Sequence, residues 1–190
     1  EEANAYMGFA DIHQYPPSEY ALQNSDLVLV IGARLDNQMN FGNPPFIPKS
    51  TKLICINGSH EEIELNRAAD FCLLSDPGVF LDTLSNLKKN NKWNLDANWF
   101  EENKKKKKEW VDKSLKDLAI EAEASKKNGG KIHPLQLSLD VQEAMGENDW
   151  LVIDGGNTHF WSEIAINIAG AKGKKLKGIL HPGTFSMLGV

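Results

Sequence analysis

Short apolar runs alternate with helix-period stretches along this chain. Leu27-Val-Leu-Val-Ile31 stops at Gly32 and is too short and too β-branched for a helix, so it reads as a buried strand. Lys52 to Ile56 and Asp70 to Leu74 read as the next two strands, each followed by a helix start. Ser59-His-Glu-Glu62 has capping-box spacing and predicts one helix. Asp76-Pro77 predicts another, with an N-cap before a first-turn proline and Phe80, Leu84 and Leu87 on one face. Strands alternating with helices imply a parallel sheet with right-handed crossovers.

From about Asn90 to Gly130 the chain turns polar and lysine-rich, with Val111, Leu115, Leu118 and Ala122 on one helical stripe. This predicts a connecting helix, ended by Asn128-Gly129-Gly130. Beyond it the pattern predicts a helix over 133–145 with Leu137, Val141 and Ala144 inward, and a strand over 150–153. A helix over 158–169 on Trp161, Ile164, Ala165 and Ile168 and a strand over 176–180 follow. The expected fold class is α/β, two Rossmann-like parallel-sheet units joined by a helical linker, divided as 1–90, 91–131 and 132–190. Neither unit has the roughly five or six strands of a complete doubly wound sheet, so a larger protein is expected around it.

Composition narrows the class. With 190 residues, 41% apolar and 25% charged, the chain reads as soluble and globular, with room for one good core or two small ones. No apolar run approaches the roughly 20 residues needed to cross a bilayer, so no membrane role is expected. A formal charge of −5 argues against a nucleic-acid partner, which needs a basic face. Lys104 to Lys108 is the exception, read as a solvated helix face paired with Glu101 and Glu102 one turn earlier rather than as a recognition patch. Cys55 and Cys72 lie in strand-like runs without metal-ligand spacing and are expected as buried free thiols of a cytoplasmic protein. No secretory signal is visible at Glu1.

Candidate chemistry gathers at strand ends. Asp154-Gly155-Gly156-Asn157-Thr158 lies between a strand and a helix start, where unpaired N–H groups and the helix dipole favour an anion. Glycine lets backbone approach a phosphate, and Asn157 and Thr158 add donors; either is equally suited to an ordinary N-cap. Gly32-Ala33-Arg34 ends the first strand where open α/β sheets place ligands, and Arg34 suits a phosphate clamp or a plain surface loop. Asp36, Asn37 and Asn40 suit either a ligand or loop turns. His133, before Pro134, reads as local structure, whereas His159 and His181 fall near the Gly-Gly turn. There is no Walker loop, G-x-G-x-x-G or nucleophile elbow.

Taken together, Asp26 to Asp36, Asn40-Phe-Gly42, Ala69 to Asp76, Val152 to Thr158 and Gly183-Thr-Phe-Ser-Met-Leu-Gly-Val190 resemble one family, in the right order along nearly the whole chain. It is the thiamine-diphosphate-dependent, acetolactate synthase-like family, close to 2-hydroxyacyl-CoA lyase, oxalyl-CoA decarboxylase and benzaldehyde lyase. The resemblance implies the latter half of the central domain, then the opening of the diphosphate-binding domain.

It also implies site residues. Gly156, Asn157 and Thr158 would contact the cofactor's diphosphate, and Leu188 would match the residue that wedges beneath the cofactor. Ser186 stands where the family usually has a glycine whose carbonyl receives the pyrimidine amino group. Arg34 matches the arginine that meets the nucleotide in FAD- or ADP-binding members, with Asp76 and Asn57 as further candidates. Asn57 replaces a common aspartate, and the loop before Glu62 is two residues longer; both departures count against bound flavin and leave a purely structural lobe as the alternative to FAD or ADP. The family's activating glutamate and its magnesium ligands are expected outside residues 1–190. The implied activity is C–C cleavage or ligation of 2-oxo acids or 2-hydroxyacyl-CoA with thiamine diphosphate as electron sink and Mg2+ as its metal, in a homodimer or homotetramer. The 190 residues alone are expected to bind the cofactor weakly and turn over nothing. The competing expectation is a non-catalytic nucleotide-binding or structural α/β module.

Overall fold

The computed structural model describes residues 6–9, 15–90 and 96–180. Helix α1 (Pro16–Gln23) is followed by strands β1 (Leu27–Ile31), β2 (Lys52–Asn57) and β3 (Phe71–Leu74) and by helix α2 (Pro77–Asn90). Then come α3 (Ala97–Lys127), α4 (Pro134–Ala144), β4 (Trp150–Val152), α5 (Asn157–Ala171) and β5 (Gly178–Leu180). The chain forms two compact units, one of Ala10–Asn103 and one of Glu1–Phe9 with Lys104–Val190. Both sheets are parallel, in the order β1-β2-β3 in the first unit and β4-β5 in the second. The protein is therefore α/β, as the alternation of runs predicts.

In the first unit the inward face of the sheet is set by period two. Val30 and Cys55 are register partners, and they bury with Leu35, Ile47 and Leu53. Arg67 closes this core from the loop side. Its Nη1 donates to the Gly42 and Ile47 carbonyls at 2.7 and 2.8 Å, and its Nη2 to those of Pro48 and Thr51 at 3.0 and 3.3 Å. One planar guanidinium thus satisfies four carbonyls of a loop that has no ladder of its own.

No helix follows Ser59; residues 60–64 are turns. The reciprocal capping bonds have been taken by other partners. Ser59 N–H donates to Asn57 Oδ1 at 3.0 Å, Ser59 Oγ donates to Glu61 at 2.9 Å, and Glu62 pairs with Arg34. Glu64 then adopts φ +62°, which ends any right-handed run. At Asp76 the expected cap forms: its Oδ1 accepts from Val79 N–H at 3.0 Å. Phe80 and Leu84 are half-buried along α2, but Leu87 is 51% exposed.

The second core contains Val111, Leu118, Leu135, Ala165 and Ile168. The helix expected as a linker is thus, over Val111 to Leu118, a wall of this core packed with α4 and α5. On α4 the packed side carries Leu135, Gln142 and part of Leu139, while Leu137 and Val141 are 54% and 41% exposed. The sequence of α4 carries two apolar stripes at helical spacing, and the one not expected from the pattern faces inward. Within the lysine run, Lys105 and Lys106 pair with Glu109, and Lys108 with Asp112. Exposed pairs of this kind contribute only a few tenths of a kcal/mol each, roughly. Lys107 is the exception, buried and donating to the Tyr6 carbonyl, with its ammonium 5.4 Å from the Tyr6 ring centre. That burial pulls the Lys107 pKa down.

Candidate functional site

The chemistry-bearing turn is built where β4 ends. Ile153 N–H donates to Leu180 O at 2.9 Å and is buried, so the strand's pairing persists up to the turn itself. Asp154 Oδ1 accepts from Gly155 N–H at 2.7 Å, and Gly156 then takes φ +68° as the N-cap of α5. Only glycine enters that conformation without strain, and nothing stands within 4 Å of where a Cβ would project.

The N-cap position decides between the two readings of the turn. Asn157 and Thr158 are the first two residues inside α5, so neither caps it, and no side chain closes this helix end. Their N–H groups have no acceptor among the described residues, and both residues are exposed. The other helix starts differ. Asp76 caps α2, Asp96 caps α3 through Asn98 N–H at 2.9 Å, and His133 Nδ1 caps α4 through Leu135 N–H at 3.2 Å. Helix α1 opens on Pro16-Pro17, which have no N–H to offer. Among the described residues, α5 is the helix whose first donors stay open to an anion.

His159, expected near this turn, is turned inward. Its Nε2 lies 3.0 Å from Glu163 Oε1, with both side chains under 10% exposed. The missed partner was present in the sequence as an i,i+4 spacing on α5. Burial, and then Glu163, push the Tyr6 pKa up, and Phe9 N–H donates to buried Asn167 Oδ1 at 3.2 Å. Residues 6–9 therefore lie along α5. His133 is local structure, as its place before Pro134 suggests: besides capping α4, it sets Nε2 2.8 Å from Glu121 and its ring edge-on to Trp161 at 5.1 Å. Ser186, Leu188 and His181 lie outside the described residues.

The three nucleotide candidates come to one end of the first sheet, since Asn57 closes β2 and Arg34 and Asp76 follow the carboxyl ends of β1 and β3. Each has a local task. Arg34 Nε sits 3.3 Å from Glu62, Asn57 Oδ1 accepts from Ser59 N–H, and Asp76 caps α2. The cavity lined by Ala33, Asn57 and Glu62 measures about 10 Å³, room for one water, and neither Arg34 nor Asp76 lines it. A cleft of about 650 Å³ between α3, α4 and α5 is lined by Ile168, Ala169 and Lys172, at the far end of α5 from the Gly-Gly turn. No cluster of three His, Cys, Asp or Glu suited to a metal occurs among the described residues, and no helix there is long and apolar enough to cross a membrane.

Comparison with known proteins agrees with this architecture. Over 140 residues the chain is 26% identical to 2-hydroxyacyl-CoA lyase 1 of Mus musculus, covering 73% of this chain and 23% of that protein. Over 174 residues it is 26% identical to 2-hydroxyacyl-CoA lyase 2 of Homo sapiens, covering 90% of this chain and 25% of that protein, so the likeness runs through the second unit as well. The chain spans about a quarter of the length of these relatives. Residues 1–84, a little under half of the chain, match the family described as thiamine pyrophosphate enzyme, central domain.

Proposed function

We propose that this chain is part of a thiamine diphosphate- and magnesium-dependent lyase, decarboxylase or carboligase acting on 2-oxo acids or 2-hydroxyacyl-CoA, and that the open end of α5 holds the cofactor's diphosphate. The observation that carries the reading is the contrast among helix starts: three are closed by side chains and one by prolines, while α5 is closed by neither. The kinship of residues 1–84 supplies the cofactor class, and the relatives named 2-hydroxyacyl-CoA lyase support C–C cleavage.

When bound, thiamine diphosphate supplies the electron sink for breaking or making the C–C bond. The chain's share is binding and orientation. The Gly155-Gly156 bend exposes backbone, the N–H groups of Asn157 and Thr158 donate to phosphate oxygens, and the positive end of the α5 dipole offsets their charge. The Thr158 hydroxyl and Asn157 amide add donors beside them. Asp154 is held by Gly155 N–H, and the buried His159–Glu163 pair stiffens the first turns behind the cradle. Magnesium ligands and the activating carboxylate are assigned to parts of the protein outside these residues. The first unit is then a structural lobe, since Arg34, Asn57 and Asp76 already have local partners.

The test uses the complete gene product. Cleavage of a 2-hydroxyacyl-CoA or 2-oxo acid should require added thiamine diphosphate and magnesium, and Gly156→Ala should weaken cofactor binding at least about tenfold, a loss of about 1.4 kcal/mol. Full activity after exhaustive removal of the cofactor would refute the reading.

A further inference from the structure

Cys55 and Cys72 are register partners on the parallel neighbours β2 and β3, and both are free thiols. Residues in register share a face, here the face that packs into the first core. Neighbouring strands stand roughly 4.7–4.9 Å apart. That lies inside the roughly 4.4–6.8 Å Cα separation a disulfide spans, though the Cβ atoms must draw in to about 3.8 Å. β3 is the outer strand of the β1-β2-β3 order, four residues long, with Phe71 and Leu74 each 59% exposed, so it is the strand that can yield.

We propose that Cys55 and Cys72 are a redox pair that closes to a cross-strand disulfide when a small peroxide reaches the half-buried Cys72, with buried Cys55 as the resolving thiol. Access sets the order. Cys55 is 6% exposed and opens onto the cavity of about 10 Å³, too small for a bulky oxidant, whereas Cys72 is partly open to solvent. Cys72 sulfur, as thiolate, attacks one peroxide oxygen; the O–O bond breaks and the departing hydroxide takes up a proton as water, leaving Cys72 as sulfenic acid. Cys55 sulfur then attacks Cys72 sulfur, the S–O bond breaks, and the hydroxyl leaves as water with the Cys55 proton. Two thiols lose two electrons in all, and one peroxide is reduced to two waters.

Glu64 restrains the pair. Its carboxylate, held by Ala69 N–H at 3.0 Å, lies beside both thiols. Burial first, then for Cys55 the neighbouring Cys72, and for both thiols the Glu64 charge, push the pair above their ordinary range, so both rest as protonated thiols. Closing the disulfide tethers the β2–β3 loop, which carries Glu62, Glu64 and Arg67.

Hydrogen peroxide titration of the native protein, followed by intact mass and non-reducing peptide mapping, tests this. The expected result is loss of two hydrogens per chain and a Cys55–Cys72 cross-linked peptide, restored to thiols by a mild dithiol. In Cys55→Ser, oxidation should stop at a dimedone-trappable sulfenic acid on Cys72, and Glu64→Gln should speed cross-linking by removing the charge. A wild-type protein that over-oxidises at Cys72 while Cys55 stays a thiol, links only between chains, or does not react would overturn the proposal without needing any variant to fold.

Discussion

Gly32 and Pro77 meet so closely that a Cβ on Gly32 would stand 2.9 Å from Pro77 Cγ. The contact brings the end of β1 against the first residue of α2, and Gly32 holds it at φ +63° with its N–H donating to Ile56 O at 2.8 Å. Both the backbone angle and the space exclude a side chain. Gly32→Ala should destabilise the first unit by about 1–3 kcal/mol, read as a lowered denaturation midpoint; an unchanged midpoint would show that Pro77 gives way freely.

Arg67 makes a second stability prediction. Four carbonyls lose the guanidinium together in Arg67→Ala; Pro48 O keeps the Thr51 N–H, while part-buried carbonyls left without a donor cost more than an ordinary surface change. The expected loss is about 2–4 kcal/mol in urea unfolding. Arg67→Lys should recover only part of it, because an ammonium cannot reproduce the planar fork. Equal stability of the lysine and arginine forms would contradict the clamp.

Much of this arrangement is legible in the sequence, and what is not has definite causes. The β-branched run at 27–31 and the Asp76-Pro77 cap act through nearest neighbours, so pattern alone finds them. Ser59 to Glu62 fails as a helix start because Asn57 and Arg34 take its bonding groups, and the Arg34 contact depends on tertiary structure. Helix α4 offers two apolar stripes of equal period, and which one packs is decided by α3 and α5. Most tellingly, Gly-Gly-Asn-Thr leaves the N-cap undetermined until the φ of Gly156 is known, and that one angle separates an open anion site from a capped helix.

His133 joins the three helices of the second unit by capping α4, pairing with Glu121 of α3 and meeting Trp161 of α5. His133→Ala should cost about 1–2 kcal/mol. His133→Asn should restore the cap alone, giving an intermediate midpoint. If Asn restores everything, the contacts with Glu121 and Trp161 contribute nothing measurable.

Arg34 is 64% exposed and its partner Glu62 30%, so solvent screens much of the pair and Glu62→Ala should change stability by about 1 kcal/mol at most. Calorimetric titration of the wild-type protein with ADP or FAD should show no saturable binding in the micromolar range. Micromolar affinity that is lost in Arg34→Ala would contradict the structural-lobe reading.

Diphosphate binding at α5 depends on two backbone donors, and a crystal structure of the complete gene product with thiamine diphosphate and magnesium would show them directly. Diphosphate oxygens should lie about 2.7–3.2 Å from the Asn157 and Thr158 nitrogens, at the start of α5. A well-ordered cofactor whose diphosphate lies elsewhere, leaving those two N–H groups bonded only to water, would contradict it.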